Sequence, residues 1–403
     1  MPELNLGKVV GPQGPQGVDG PAGAQGVQGV PGVPGKDAAI NGYNVLNLFA
    51  AGAAQLTQDD KGNAVIAASG KNLLDNWYFV DPIDQSNGYV VPPDTPYYSD
   101  TGLTTQVSTV TAYTKAVNAD GVYGTITVSG TTYYVDWTAA VRGYVGPGCT
   151  IDRWRAANSL TQLITEDGIR LVMTQGRQLR HVFEDLSSFD GRSLTCSALF
   201  ADGTIATGTI KFDASVTSWD LHTFFTKGNL RVLMATAESC LALHCINSST
   251  GVDETIKAIK LELGSQQTLA HQDADGNWVL NGPPPDKVLE LAKCQRYQLV
   301  INAKRRSNVY FGMANAYGGN KAFVYVPTPT TMRVVPTCSV LGDVSVRTGT
   351  TNYKITGLSG YNVMENAVML SVFTEEESLT KGNTYILAAT DNILGTIILD
   401  ANL

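Results

Sequence analysis

Glycine occupies every third position of one stretch of this chain: Gly11, Gly14, Gly17, Gly20, Gly23, Gly26, Gly29, Gly32 and Gly35. The nine triplets read GPQ GPQ GVD GPA GAQ GVQ GVP GVP GKD. Such a period constrains folding for a steric reason. Three polyproline-II-like strands can wind together only when the residue facing the crowded axis has no side chain. Pro12, Pro15, Pro21, Pro31 and Pro34 supply the imino-acid content that accompanies such a helix. The competing reading is an unstructured Gly/Pro linker.

The repeat is collagen-like, and a collagen-like helix is parallel and three-stranded. It predicts a parallel homotrimer in which the nine glycines are the trimer-forming positions. At roughly 3.1 Å per residue the segment spans about 80 Å at most. Nine triplets without hydroxyproline are not expected to hold alone, so a trimeric domain downstream is expected to nucleate the helix and set its register.

The remaining chain calls for another architecture. The 403 residues suggest two to four domains. Hydrophobic residues make up 43%, enough for real cores, whereas charged residues are only 16%. Thr, Ser, Asn, Gly and Tyr fill the polar deficit, which favours strands and turns over charged surface helices. The expected fold class is mainly β. The collagen-like triple helix at 11–37 is followed by a linker or trimeric plug at 38–70 around Val45, Leu46, Leu48 and Phe49. A β-sandwich or jelly-roll domain is expected at 71–264 and a smaller β-domain at 298–403. Strand runs such as Gly124–Ser129 and Thr131–Asp136, split at Gly130, and the hairpin dipeptide Asp202–Gly203 carry that reading. Between the two domains, residues 265–297 read as a hairpin turning at Asp275–Gly276 and a short helix N-capped by Asp286.

A net charge of -8 argues against a nucleic-acid partner, which needs a basic face, and against a polybasic membrane module. No stretch approaches the ~18 apolar residues of a membrane span. The opening MPELNLGKVV has no basic region before an apolar core, so no secretory signal is read there. Synthesis in the cytosol follows as the expectation. Cys149, Cys196, Cys240, Cys245, Cys294 and Cys338 are scattered without a CxxC, so six reduced thiols are expected.

Motifs for chemistry are missing. Gly70–Lys71 is no phosphate loop and Gly357–Gly360 is no nucleophile elbow. Cys240, His244 and Cys245 could ligate a metal, but the run alternates like a core strand. The Asp273–Asn277 loop has its glycine at the wrong place for a calcium loop, so a solvated turn is expected. Lys304–Arg306 reads as a solvated basic loop. No metal, no cofactor and no catalytic residue is expected. The aromatics remain, because sugar sites use flat rings beside amides and charges. Two Tyr-rich regions offer them: Tyr97, Tyr98, Tyr133 and Tyr134 in the first β-domain, and Tyr310, Asn315 and Tyr317 in the second.

Several stretches resemble one family. Lys71–Gln85 (KNLLDNWYFVDPIDQ), Thr150–Trp154 (TIDRW) and Asp167–Ile169 look like the carbohydrate-binding-module-like jelly roll of bacteriophage and prophage tail fibres. Lys260–Gly264 (KLELG), Gln266–Leu280 and Cys294–Tyr297 (CQRY) are similar to a junction in the same proteins. Val326–Pro336 and Leu399–Leu403 resemble their C-terminal domain. Two departures stand out: Asp84–Asn87 (DQSN) replaces the family's Asn-Gln-Arg-Gly, and residues 88–148 form a long Tyr/Thr-rich insertion. The matched motifs mark strand starts and junctions, so no ligand residue is carried over from them.

The resemblance implies a non-enzymatic, homotrimeric receptor-binding protein of the virion, assembled in the host cytoplasm. Residues 1–10 would attach it to other tail or baseplate proteins, and its outer end would adhere to a bacterial surface glycan or protein. Order along the chain places recognition in the last domain, on Arg305, Tyr310, Asn315, Tyr317, Lys321 and Tyr325, with Tyr97, Tyr98, Tyr133 and Tyr134 as the competing site. The alternatives are a polysaccharide-depolymerising tailspike, which would need paired carboxylates in a groove, and a collagen-like bacterial surface or spore filament.

Overall fold

The strand Trp154–Thr165 organises the first β-region in the computed structural model. The structure describes residues 70–401 apart from 120, 248, 303–308, 350, 376–377 and 390–394, together with the backbone of two strands, Ala54–Gln58 and Ala64–Ala68. Those two strands pair antiparallel, with Ala54 opposite Ala68. The glycine triplets, residues 1–10 and the apolar patch at 45–49 lie outside the described residues.

Trp154–Thr165 serves two sheet faces because its ladder shifts register between Ala156 and Leu160. Its first residues pair with Gln178–Val182, and its last five pair with Gly168–Met173. From the first junction the sheet runs on through Cys240–Cys245, Leu230–Ala235 and Thr223–Lys227. From the second it runs through Val252–Leu263, Ser193–Phe200 and Ile205–Lys211. The two arms fold over one core, giving a sandwich-like, mainly β body. Trp154, Phe79, Phe200, Phe212 and Leu171 are among its fully buried side chains. The Phe79 and Trp154 rings meet edge to face at 5.2 Å, a favoured aromatic geometry.

Local turn chemistry fits the hairpins. Ser129 (φ 50°) and Gly130 (φ 81°) form the two-residue turn joining Tyr123–Val128 to Thr131–Asp136, a backbone that right-twisted strands favour. Gly203 (φ 80°) does similar work after Asp202, whose carboxylate accepts a hydrogen bond from the Thr204 N–H at 2.9 Å.

Residues 88–148 are built outward from the sandwich edge. The strand Val141–Cys149 pairs with Trp154–Thr165 on one side and Tyr89–Val91 on the other. The sheet then continues through Thr114–Asn118, Tyr123–Val128, Thr131–Asp136, Pro96–Tyr98 and Gln106–Thr109. This insertion has its own small core of Val91, Val110, Ala116, Ile126 and Val135.

Three of the stretches that carried the family resemblance, Lys71–Gln85, Thr150–Trp154 and Cys294–Tyr297, come together between the sandwich and the last domain. The Asn76 amide donates to the carbonyls of Ile83 and Asp152, each at 2.8 Å, and the Trp154 indole donates to the Asn76 carbonyl at 3.0 Å. The Asn76 N–H donates to the buried Glu290 carboxylate on the helix Lys287–Gln295. That helix starts where Asp286 accepts from the Val288 and Leu289 N–H groups, as an N-cap should. Gln85 donates twice to the Asp152 carboxylate and once to the Gln298 carbonyl. Arg153 lies 3.4 Å above the Tyr297 ring and pairs with Asp75 at 3.3 Å. Sequence-distant motifs therefore form one polar lock.

Beyond the lock, Gln298–Asn302 pairs with Thr396–Asp400, which also pairs with Thr337–Leu341. Six strands close into a barrel in the order Tyr310–Ala316, Lys321–Pro327, Ala367–Thr374, Thr351–Met364, Val344–Thr348 and Thr384–Ala389. Ala314, Ala322, Val324, Val346, Leu370, Val372 and Leu387 fill its interior. Alternation then forces the neighbours of these residues outward.

Candidate functional site

The outward face of the barrel gathers large side chains. Tyr310, Met313, Tyr317, Tyr325 and Tyr361 are each between 50% and 66% exposed. Sheet register explains the grouping. Met313 lies opposite Tyr325, which lies opposite Met369 on the next strand. One row along, Asn315 lies opposite Phe323, and Phe323 opposite Ser371. Lys321 lies opposite Phe373. Tyr310 and Asn315 are five residues apart, so plain alternation would set them on opposite faces. A register shift between Tyr310 and Gly312 brings both outward. Gly312 is needed there, because a Cβ would sit 2.8 Å from the Tyr325 carbonyl oxygen.

The rings form a connected surface. Tyr317 meets Phe323 at 5.5 Å between centroids, and Phe323 meets Tyr361 at 4.8 Å. Lys321 Nζ stands 5.0 Å from the Phe323 ring, 5.4 Å from Phe373 and 5.8 Å from Tyr361. Lys381 stands 5.8 Å from the Tyr317 ring, and the Arg347 guanidinium 5.9 Å from that of Tyr310. These are cation–π distances, and they hold positive charge beside flat ring faces. Asn315 Oδ1 accepts from the Thr384 hydroxyl at 3.2 Å, leaving its amide N–H groups for other acceptors. A contiguous exposed apolar surface with a polar rim is the signature of an interaction site.

Of the sequence-predicted residues, Tyr310, Asn315, Tyr317, Lys321 and Tyr325 fall on this face, and Arg305 lies outside the described residues. Phe323, Tyr361, Phe373 and Met313 were missed. Period-two spacing from Lys321 and Tyr325 could have found Phe323. Tyr361 could not be found that way: it is the extra residue where the ladder shifts between Gly360 and Asn362.

The competing tyrosines serve the insertion's own structure. Tyr97 and Tyr133 meet at a tilt, 4.8 Å between ring centroids, and pack on its small core. Tyr98 lies opposite Tyr134, and Tyr134 meets Tyr123 edge-on at 5.5 Å. All four are half-buried.

Cys240 and Cys245 sit at opposite ends of one strand and enter different apolar clusters, so they do not converge with His244. No group of three or more metal-ligating side chains occurs among the described residues. Asp273 accepts from the Asp275 and Asn277 N–H groups at 2.9 and 2.8 Å, and these backbone bonds lower its carboxyl below the ordinary value. Burial pushes the Cys196 thiol well up and that of Cys240 up to about 12, the opposite of a reactive thiolate.

Comparison with known proteins returns no matching family model, no matching curated protein and no matching solved structure.

Proposed function

We propose that this chain is a non-enzymatic receptor-binding protein of the bacteriophage tail-fibre kind, which adheres to a bacterial surface glycan through the outer face of its barrel. The observation that carries this reading is the joined ring surface of Tyr317, Phe323 and Tyr361, with exposed Tyr325 on the same strand as Phe323 and with Lys321 and Asn315 at the edges. Flat aromatic faces accept the apolar side of a sugar ring, while the amide and ammonium meet its hydroxyls or acidic groups. Nine Gly-X-Y triplets in the same chain support a parallel homotrimer on a collagen-like shaft. The sandwich is read as a jelly roll, and residues 1–10 as the point of attachment to tail or baseplate proteins in the virion.

Trimeric display matters as much as the single site. Three weak sites on one stiff shaft can raise avidity by about 10²–10⁴ over one site. The test is binding of the fluorescently labelled intact chain to a panel of bacterial cells, before and after mild periodate oxidation of their surface glycans. Binding that oxidation removes supports the reading. Binding that survives oxidation but not protease treatment of the cells would replace the glycan with a protein receptor.

A further inference from the structure

A concave surface lies on the back of the insertion. The strands Thr114–Asn118 and Tyr123–Val128 bury Ala116 and Ile126 in the insertion's core. Alternation then turns Lys115, Val117, Thr125 and Thr127 to the other side. There the strand Val141–Cys149 bends through Gly146 (φ 101°), and Ser159 stands where the ladder of its neighbour shifts register. The outcome is an open cleft of about 500 Å³ lined by Tyr113, Lys115, Thr125, Thr127, Gly146 and Ser159 among others. That volume falls within the roughly 300–1,000 Å³ of small-molecule clefts. A Cβ on Gly146 would meet nothing within 4 Å, so the glycine keeps that wall open while adopting a backbone that other residues resist.

The lining has a definite chemistry. The hydroxyls of Thr125, Thr127 and Ser159 make no hydrogen bond among the described residues, and Thr125 and Thr127 stand about 7 Å apart along their strand. Among the described residues, Lys115 forms no ion pair and no carboxylate lines the cleft. Arg170 lies within electrostatic reach of Tyr113 but is held by both oxygens of Asp253 at 2.7 Å. On a chain of net charge -8, this is a local cationic pocket with hydroxyls and one ring.

We propose that the cleft is a second saccharide subsite that takes an acidic sugar-polymer unit. The Lys115 ammonium meets its carboxylate or phosphate, Thr125, Thr127 and Ser159 meet its hydroxyls, and Tyr113 supplies a flat apolar wall. The site stands apart from the barrel face and does not depend on it. Uronic-acid capsule and glycerol-phosphate wall polymers share this chemistry.

The test is calorimetric titration of the intact chain with three probes: a glucuronate-containing tetrasaccharide, a glycerol-phosphate tetramer and a neutral glucose tetrasaccharide. The expected result is that at least one anionic probe binds and the neutral one binds at least tenfold more weakly. Lys115→Met should weaken the anionic probe about tenfold, and Ser159→Trp should block it. Repeated on a Tyr325→Ala background, the titration should keep the same loss from Lys115→Met, which separates a failure here from a failure at the barrel. Binding of glucuronate alone names a capsular source, and binding of glycerol phosphate alone a wall source. Equal binding of all three probes, no binding of either anionic probe at millimolar concentration, or anionic binding that Lys115→Met leaves intact overturns the proposal.

Discussion

The polar lock beneath the barrel and the barrel's outer face are built from the same residue types, and they use them in opposite ways. In the lock, Tyr297 donates to Glu184 at 2.6 Å and lies under Arg153 at 3.4 Å, while the Asn76 amide is consumed by two carbonyls. On the face, Tyr310, Tyr317, Tyr325 and Tyr361 each leave at least half their surface in water. The lock spends its polar groups on the protein itself, and the face leaves its own exposed. A tyrosine or arginine is thus no sign of a ligand site until its partners are known.

Substitutions should fall into two classes accordingly. Trp154→Ala removes a fully buried ring and its hydrogen bond to the Asn76 carbonyl. It should cost about 3–5 kcal/mol, read as a shifted midpoint in urea unfolding. A loss below about 1 kcal/mol would show that the lock is loosely packed.

The pH dependence sharpens the same contrast. Burial raises the Asp152 carboxyl from 3.8 to about 7, against two hydrogen bonds from Gln85 that lower it. The folded chain therefore keeps a proton that the unfolded chain releases above its ordinary value. The stability from this group is full below about 4, declines as pH rises through that window, and is lost above about 7. The swing is on the order of a few kcal/mol. Asp152→Asn should flatten the melting temperature between pH 5 and 8; an unchanged slope would assign the dependence elsewhere.

At the barrel, Tyr325→Ala and Tyr361→Ala should change folding stability by no more than about 0.5 kcal/mol while weakening glycan binding roughly tenfold, about 1.4 kcal/mol. A stability loss as large as that of the lock would make these rings structural. Lys321→Ala should have the smallest effect, on the order of 0.5–1 kcal/mol in binding, measured by titration against the same glycan.

How much of this could be read from the chain follows from the range of each interaction. Turns and caps are local, so Gly130, Asp202–Gly203, Asp275–Gly276 and the Asp286 cap were legible, and so was the mainly β class. The grouping of Tyr310, Asn315, Tyr317, Lys321 and Tyr325 was legible as proximity in sequence. The shift at Gly312 that aligns them was not. Tyr361 and Phe373 join by pairing with distant strands, which no local pattern encodes. The lock motifs were recognisable as stretches, but Asn76 meets Asp152 and Glu290, and Gln85 meets Asp152, only in the folded chain. The insertion was visible as a Tyr/Thr-rich length, whereas its separate core and cleft depend on which face each strand turns inward.

The most direct measurement compares the intact chain with a Met313→Asp/Tyr325→Ala double variant on an array of bacterial surface glycans, with folding of both checked by unfolding midpoint. Met313 and Tyr325 are cross-strand partners in the middle of the face, so the pair removes its apolar centre without touching the core. The account predicts matching midpoints and loss of the array signal. Matching midpoints with the signal retained would contradict it and move recognition off the barrel face.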